Sequence, residues 1–304
     1  RAFLRRSTQL GLAGTALPFA LNLAAMGEAA AFNANDYKAL VCVFLYGGND
    51  YANTVVTYDD ASYNRYSTIR GGGSGQTAGG IALAKADLTS TLLNPTVPLP
   101  GGRQYALHPA MAGLAGLFNS GKAAVQLNVG PLVVPLTRAQ YSSPDRNTYP
   151  LPPKLFSHND QQSVWQSSSP EGATVGWGGN IGDLVLSSNG NSLFTCIAVT
   201  GNAVFLSGDS ALQYQVSTNG AVAINGVKSN VYGSSAVRGA LSALIQQPSA
   251  HTLENEYTRV TTRAVTSESQ ITSALAGSTL GTVFPTSNSL ADQLKMVARL
   301  IGAR

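Results

Sequence analysis

Charge, histidine and cysteine are all scarce in this sequence. Charged residues make up 11% of the 304, and there are three histidines and two cysteines. Two cysteines are too few for a disulfide-built scaffold, and they form no C-x-x-C pair of the kind that holds structural zinc. The histidines form neither H-x-H nor H-E-x-x-H, so a metal site of zinc-protease pattern is excluded. No G-x-S-x-G or G-x-G-x-x-G follows an apolar strand, which argues against an α/β-hydrolase or a dinucleotide enzyme. The formal charge of +4 includes Arg1, Arg5 and Arg6 against Glu28. After Ala31 there remain 16 basic and 14 acidic residues, a net charge of +2, and with no basic cluster the chain has no nucleic-acid footprint.

What is present begins at the N-terminus. Three arginines precede the apolar, uncharged stretch 10–26 (LGLAGTALPFALNLAAM), and Ala29-Ala30-Ala31 follows it. This is the layout of a cleavable export signal, with cleavage expected after Ala31. The stretch is interrupted by Gly11, Gly14, Pro18 and Asn22 and falls short of the roughly 20 residues that span a bilayer, so no integral membrane segment is expected after cleavage. Arg1-Ala2-Phe3-Leu4-Arg5 resembles the twin-arginine motif entered at its second arginine, which makes the chain a fragment exported in the folded state to the periplasm or cell exterior. Few charges beside abundant Gly, Ser, Thr and Asn suit that compartment.

Residues 38–46 (KALVCVFLY) form a continuous β-branched and aromatic run ended by Gly47-Gly48, the pattern of a strand buried on both faces. Pro109, an apolar face through Met111, Leu114 and Leu117, and Gly121 mark a helix, and 123–129 reads as the next strand. Strand, crossover helix and strand in this order predict an α/β fold with a mostly parallel sheet between helical layers. Further strands are expected at 193–199 and 203–206, with a hairpin turning at Asn219-Gly220. Helices are expected from Ser157, over 177–186, 236–246, 252–276 and 290–301. Cys42 and Cys196 fall in two of the expected strands, as buried free thiols or, alternatively, as one disulfide. The segment 131–156, rich in Pro, Ser and Tyr, is longer than the usual connection of ~4–6 residues and suits a functional or partner-facing loop. No linker marks a boundary, so residues 32–304 are read as one domain after the signal at 1–31.

Three residues stand out chemically. Asp50 follows Gly47-Gly48-Asn49 at the carboxyl end of the first expected strand, the edge at which open α/β sheets bind ligands. It is a metal ligand on that reading and an Asx-turn cap on the other. Ser157 and Asp160 have capping-box spacing, yet a hydroxyl at a helix N-terminus also suits a nucleophile facing phosphate or sulfate. His158 beside it is the acid-base candidate. His108, preceding Pro109, reads as packing at a helix entry.

Four segments in order resemble the exported family called domain of unknown function 1501: FLYGGNDYANTVVTYDDASY, LHPAMAGLAGLFNSGKAAVQLNVG, SHNDQQSVWQ with GWGGNIGDLV, and LADQLKMVARLIGAR. That family is similar to the alkaline phosphatase and sulfatase superfamily. The resemblance implies a three-layer α/β/α sandwich, incomplete at its C-terminal end, and a metal-dependent hydrolase of phosphate or sulfate esters when full length. In it Asp50 binds a divalent metal ion, with Ser157 as nucleophile and His158 beside it. The substrate would be a small-molecule or polysaccharide ester. The family's later G-G-F-D-T-H and D-H-G segments are absent before Arg304, and Asn49-Asp50-Tyr51 and His158-Asn159 depart from its usual G-G-x-D-G-L and S-H-F. The other reading is a non-catalytic envelope or surface binding protein on the same scaffold.

Overall fold

The computed structural model describes residues 37–72, 79–189, 191–199, 201 and 203–303. The expected export signal therefore lies outside the described residues. The chain divides into two compact units, one formed by Cys42–Gly130 and the other by Arg1–Val41 with Pro131–Arg304.

In the unit Cys42–Gly130, helix α1 (Tyr51–Thr54) leads into β1 (Val55–Thr57), then α2 (Asp60–Arg70), β2 (Tyr105–Leu107) and α3 (Ala112–Asn119). Asp59 caps α2 by accepting the Ser62 N–H. β1 and β2 pair antiparallel, Val56 opposite Ala106. A 3-10 segment, Lys85–Thr91, closes one core with Leu88 against Val56, Tyr63 and Ala106. A second core joins Leu93, Leu107 and Ala115. Thr91 is buried but donates its hydroxyl to the Leu107 carbonyl at 2.6 Å, so the polar group is satisfied inside the core.

In the other unit, the described elements are α4 (Arg138–Ser142), α5 (His158–Ser167), α6 (Trp177–Val185), β3 (Ile197–Ala198), β4 (Tyr214–Ser217), β5 (Gly220–Ala221), α7 (Asn225–Lys228), α8 (Ser235–Ile245), α9 (Thr252–Ala276) and α10 (Ser289–Gly302). β3 and β4 are parallel, and β4 and β5 form a hairpin with Ser217 opposite Gly220. Gly220 has φ +119°, which the tight turn requires and a Cβ would oppose. The core joins Val216 of β4, Ile271 and Leu275 of α9, and Met296 and Leu300 of α10.

This is not the expected three-layer sandwich with a mostly parallel sheet. Among the described residues helix makes up 48% and strand 7%, in one two-stranded antiparallel sheet and one three-stranded mixed sheet. Residues 38–46 are irregular and exposed, as are most of 123–129, and neither run lies in a strand. Leu45 and Tyr46 are about half exposed, at 53% and 51%. Of 193–199, only Ile197–Ala198 is strand, and Val204–Leu206 is a 3-10 turn. The reason is physical: a run of β-branched residues states that a strand would be tolerated, whereas a strand exists only through ladder bonds to a neighbour. Helices close their hydrogen bonds locally, and those expected in the last third of the chain form within a residue or two of their expected bounds.

Candidate functional site

Asp50 and the pair Ser157 and His158 fall in different units. Asp50 is the N-cap of α1, its Oδ1 accepting the Ala52 N–H at 3.2 Å. Its other oxygen forms an ion pair with Arg70, the last residue of α2. Thr54 closes the turn by donating to Asn49 Oδ1 and to the Asp50 carbonyl. The G-G-N-D sequence thus makes a capped turn, and Arg70, 20 residues further on, neutralises the carboxylate.

Ser157 is the N-cap of α5, its Oγ accepting the Asp160 N–H at 3.3 Å. The box is not reciprocal: the Ser157 N–H goes to the Lys154 carbonyl. The freed Asp160 carboxylate is buried and turns elsewhere. It accepts the Glu171 N–H at 3.1 Å and pairs with Lys154 Nζ at 3.3 Å. The Ser157 hydroxyl, together with the Glu171 N–H and Lys154, holds the Asp160 carboxyl below its ordinary value against the opposing effect of burial. Asp160 therefore ties the chain before α5 to the chain after it. His158, the first residue of α5, faces solvent. His108 Nδ1 accepts the Ala110 N–H at 3.1 Å, a structural task at a helix entry.

The most closely built part of this unit is one whose role the sequence reading left unassigned. In α6, a Cβ on Gly179 would come within 2.1 Å of the Ser207 backbone, and one on Gly178 within 2.6 Å of the Phe205 ring. Glycines thus let a helix touch the backbone at 204–208 directly. Trp177 packs edge-on against Phe205 at 4.4 Å between centroids and donates its indole N–H to the Trp165 carbonyl. Asp183, one turn on, accepts three backbone N–H groups, from Asp209 at 2.8 Å, Ser210 at 2.9 Å and Ala211 at 2.6 Å. The only sequence signal was the motif itself, G-W-G-G-N-I-G-D, with small residues on one helix face and an acid at its end.

Both cysteines are free thiols, Cys42 exposed and Cys196 buried. Burial, and then the Asp183 carboxylate, push the Cys196 thiol up, which keeps it protonated and unreactive. Glu268 of α9, buried, takes both oxygens to Lys228 Nζ at 2.6 Å and accepts from Thr272. The Lys228 contact holds its carboxyl below the ordinary value.

The donor set can be tested against the divalent metal that the resemblance implies. Among the described residues no three His, Cys, Asp or Glu side chains converge, and Asp50 is already paired with a guanidinium. One neutralised carboxylate does not fit a site that asks for several oxygen ligands. No step through a metal follows from these residues.

What the described residues define is a protein about half helical, with two small sheets. No family model, curated protein or solved structure matches the chain.

Proposed function

We propose that the chain is a non-catalytic binding protein of the periplasm or cell exterior, exported through the twin-arginine route and belonging to the family called domain of unknown function 1501. The observation that carries this reading is the segment 131–156. Its middle, 137–149, is held by its own polar bonds, and apolar side chains on either side of that part face water. Thr137 and Gln140 form a full capping box on α4. The Asp145 carboxylate accepts from Asn147 and Thr148, and Arg146 donates to the Tyr141 carbonyl. Around this frame Leu132, Val133, Tyr141 and Phe156 are exposed, Phe156 at 89%. Ordered loops that carry exposed aromatic and aliphatic groups are recognition surfaces more often than fillers. The partner that fits is a protein with an apolar contact surface. Leu132→Ser with Phe156→Ser should abolish capture of an envelope protein that the unchanged chain retains, with the same melting temperature. Equal capture by both would remove this segment from the reading. Cell fractionation with N-terminal sequencing tests the export, with Phe32 expected as the mature first residue.

One observation favours the ester-hydrolase reading instead. Ser157 stands at the N-terminus of a ten-residue helix with His158 open to solvent beside it. On that reading Ser157→Ala removes turnover of phosphate or sulfate esters by the full-length protein. On the binding reading there is no turnover to lose, and the substitution removes a cap worth about 1 kcal/mol.

A further inference from the structure

Helices α8 and α9 form a hairpin that is polar at its turn and apolar on its open side. Thr258 donates to the Gln247 carbonyl at 3.2 Å and Ser249 to Glu254 at 2.6 Å, which fix the connection. Yet α8 has no buried residue, although Val237, Leu241, Leu244 and Ile245 make it apolar. Leu244 is 67% exposed, Leu253 76% and Tyr257 68%. With Pro248 they line an open groove of about 560 Å³.

The two ends of α9 explain what this groove is for. Leu253, Tyr257, Val260, Ala264, Ser267 and Ile271 recur at alternating steps of four and three, the seam of a coiled coil. Ser267 and Ile271 are buried in their own unit, while Leu253, Tyr257 and Val260 continue the same seam uncovered. A seam of this period is covered by another helix of the same pitch. A second copy supplies one, with charges that select its direction. If two copies cross antiparallel over residues 253–264, Leu253 meets Ala264 of the second copy and Tyr257 meets its Val260. In that register the flanking Glu256 stands opposite Arg263 of the second copy, and the symmetry repeats the pair. A parallel pairing would instead aim Arg263 at Glu268, which is buried and already held by Lys228. Among the described residues Glu256 pairs with Arg259 alone, an exposed pair three residues away that leaves it free to turn.

We propose that α8 and α9 are a self-association surface, on which two copies pair antiparallel through Leu253, Tyr257 and Val260 to form a four-helix bundle. Each copy contributes on the order of 500 Å² of apolar surface, so that the pair reaches the ~1,000 Å² at which specific interfaces begin.

Sedimentation velocity on the chain, from about 1 to about 100 µM, reads the equilibrium directly. The expected result is a monomer–dimer equilibrium that Glu256→Arg and Arg263→Glu each weaken about tenfold, like charges then facing each other. The double variant Glu256→Arg/Arg263→Glu should return it to the starting value. Circular dichroism melting on the same samples establishes that each variant is folded. A monomer throughout the range overturns the proposal, and so does a dimer indifferent to both single reversals, which would use another face. A double variant no tighter than either single one overturns the register and the antiparallel direction with it.

Discussion

Two helices of one unit, α6 and α8, are similar in length and both rich in apolar and small residues, and they have opposite fates. α6 lies with its glycines pressed on the backbone of 204–208 and its aspartate holding three N–H groups. α8 buries nothing. Apolar content therefore does not decide which helix is covered. The difference lies in what faces each of them: α6 meets a segment shaped to its glycine face and tied by directional bonds, whereas the open side of α8 meets a groove. Small residues permit close approach, and a polar anchor fixes where that approach happens.

The contrast can be broken most severely at Gly179. A valine there would drive its Cβ into the Ser207 backbone, and the better helix propensity of valine recovers only a few tenths of a kcal/mol. Gly179→Val should destabilise the unit by about 3 kcal/mol in urea unfolding, and a loss below about 1 kcal/mol would show that the contact yields easily. Next in size is Asp183→Asn. An amide cannot accept all three N–H groups as a carboxylate does, so a loss of about 2 kcal/mol is expected by the same measurement.

Acid supplies a third, smaller probe. Asp160 and Glu268 have carboxyls held low in the folded state. Their stabilisation is complete above the unfolded carboxyl values of ~4 and is lost as pH falls through the lower folded values. The melting temperature should thus drop between neutral pH and about pH 3, and Asp160→Asn should flatten that drop. A variant with the unchanged pH profile would remove Asp160 as a contributor. The smallest effect belongs to α8: Leu244→Ser should alter monomer stability by no more than about 0.5 kcal/mol, since the side chain is exposed already. A loss comparable to that at Gly179 would erase the contrast between the two helices.

The candidate residues divide along a similar line. That Ser157 caps a helix was legible in S-x-x-D spacing, and that Asp50 makes a turn was legible in G-G-N-D. Both are local events completed within three residues. What each carboxylate does beyond its own turn was not legible. Arg70 reaches Asp50 from the far end of α2, and Glu171 and Lys154 reach Asp160 from both sides of α5. Asp183 was passed over for the same reason, its three donors lying 26 to 28 residues further on.

By itself the sequence determined the longer helices after Ser157 and one hairpin turn, while α2 and the short α1, α4 and α7 were not legible in it. α9 was legible as a long polar helix, α10 by its apolar face, and the β4–β5 hairpin by Asn219-Gly220. The physics there is local, since helix bonds span four residues and a turn needs one permissive glycine. Only the tertiary structure decided which β-prone runs became strands, leaving 38–46 outside any strand and choosing 55–57 and 105–107 instead. Outside a tight hairpin, strand formation depends on a partner brought from far along the chain, and no composition of one segment states where that partner will be.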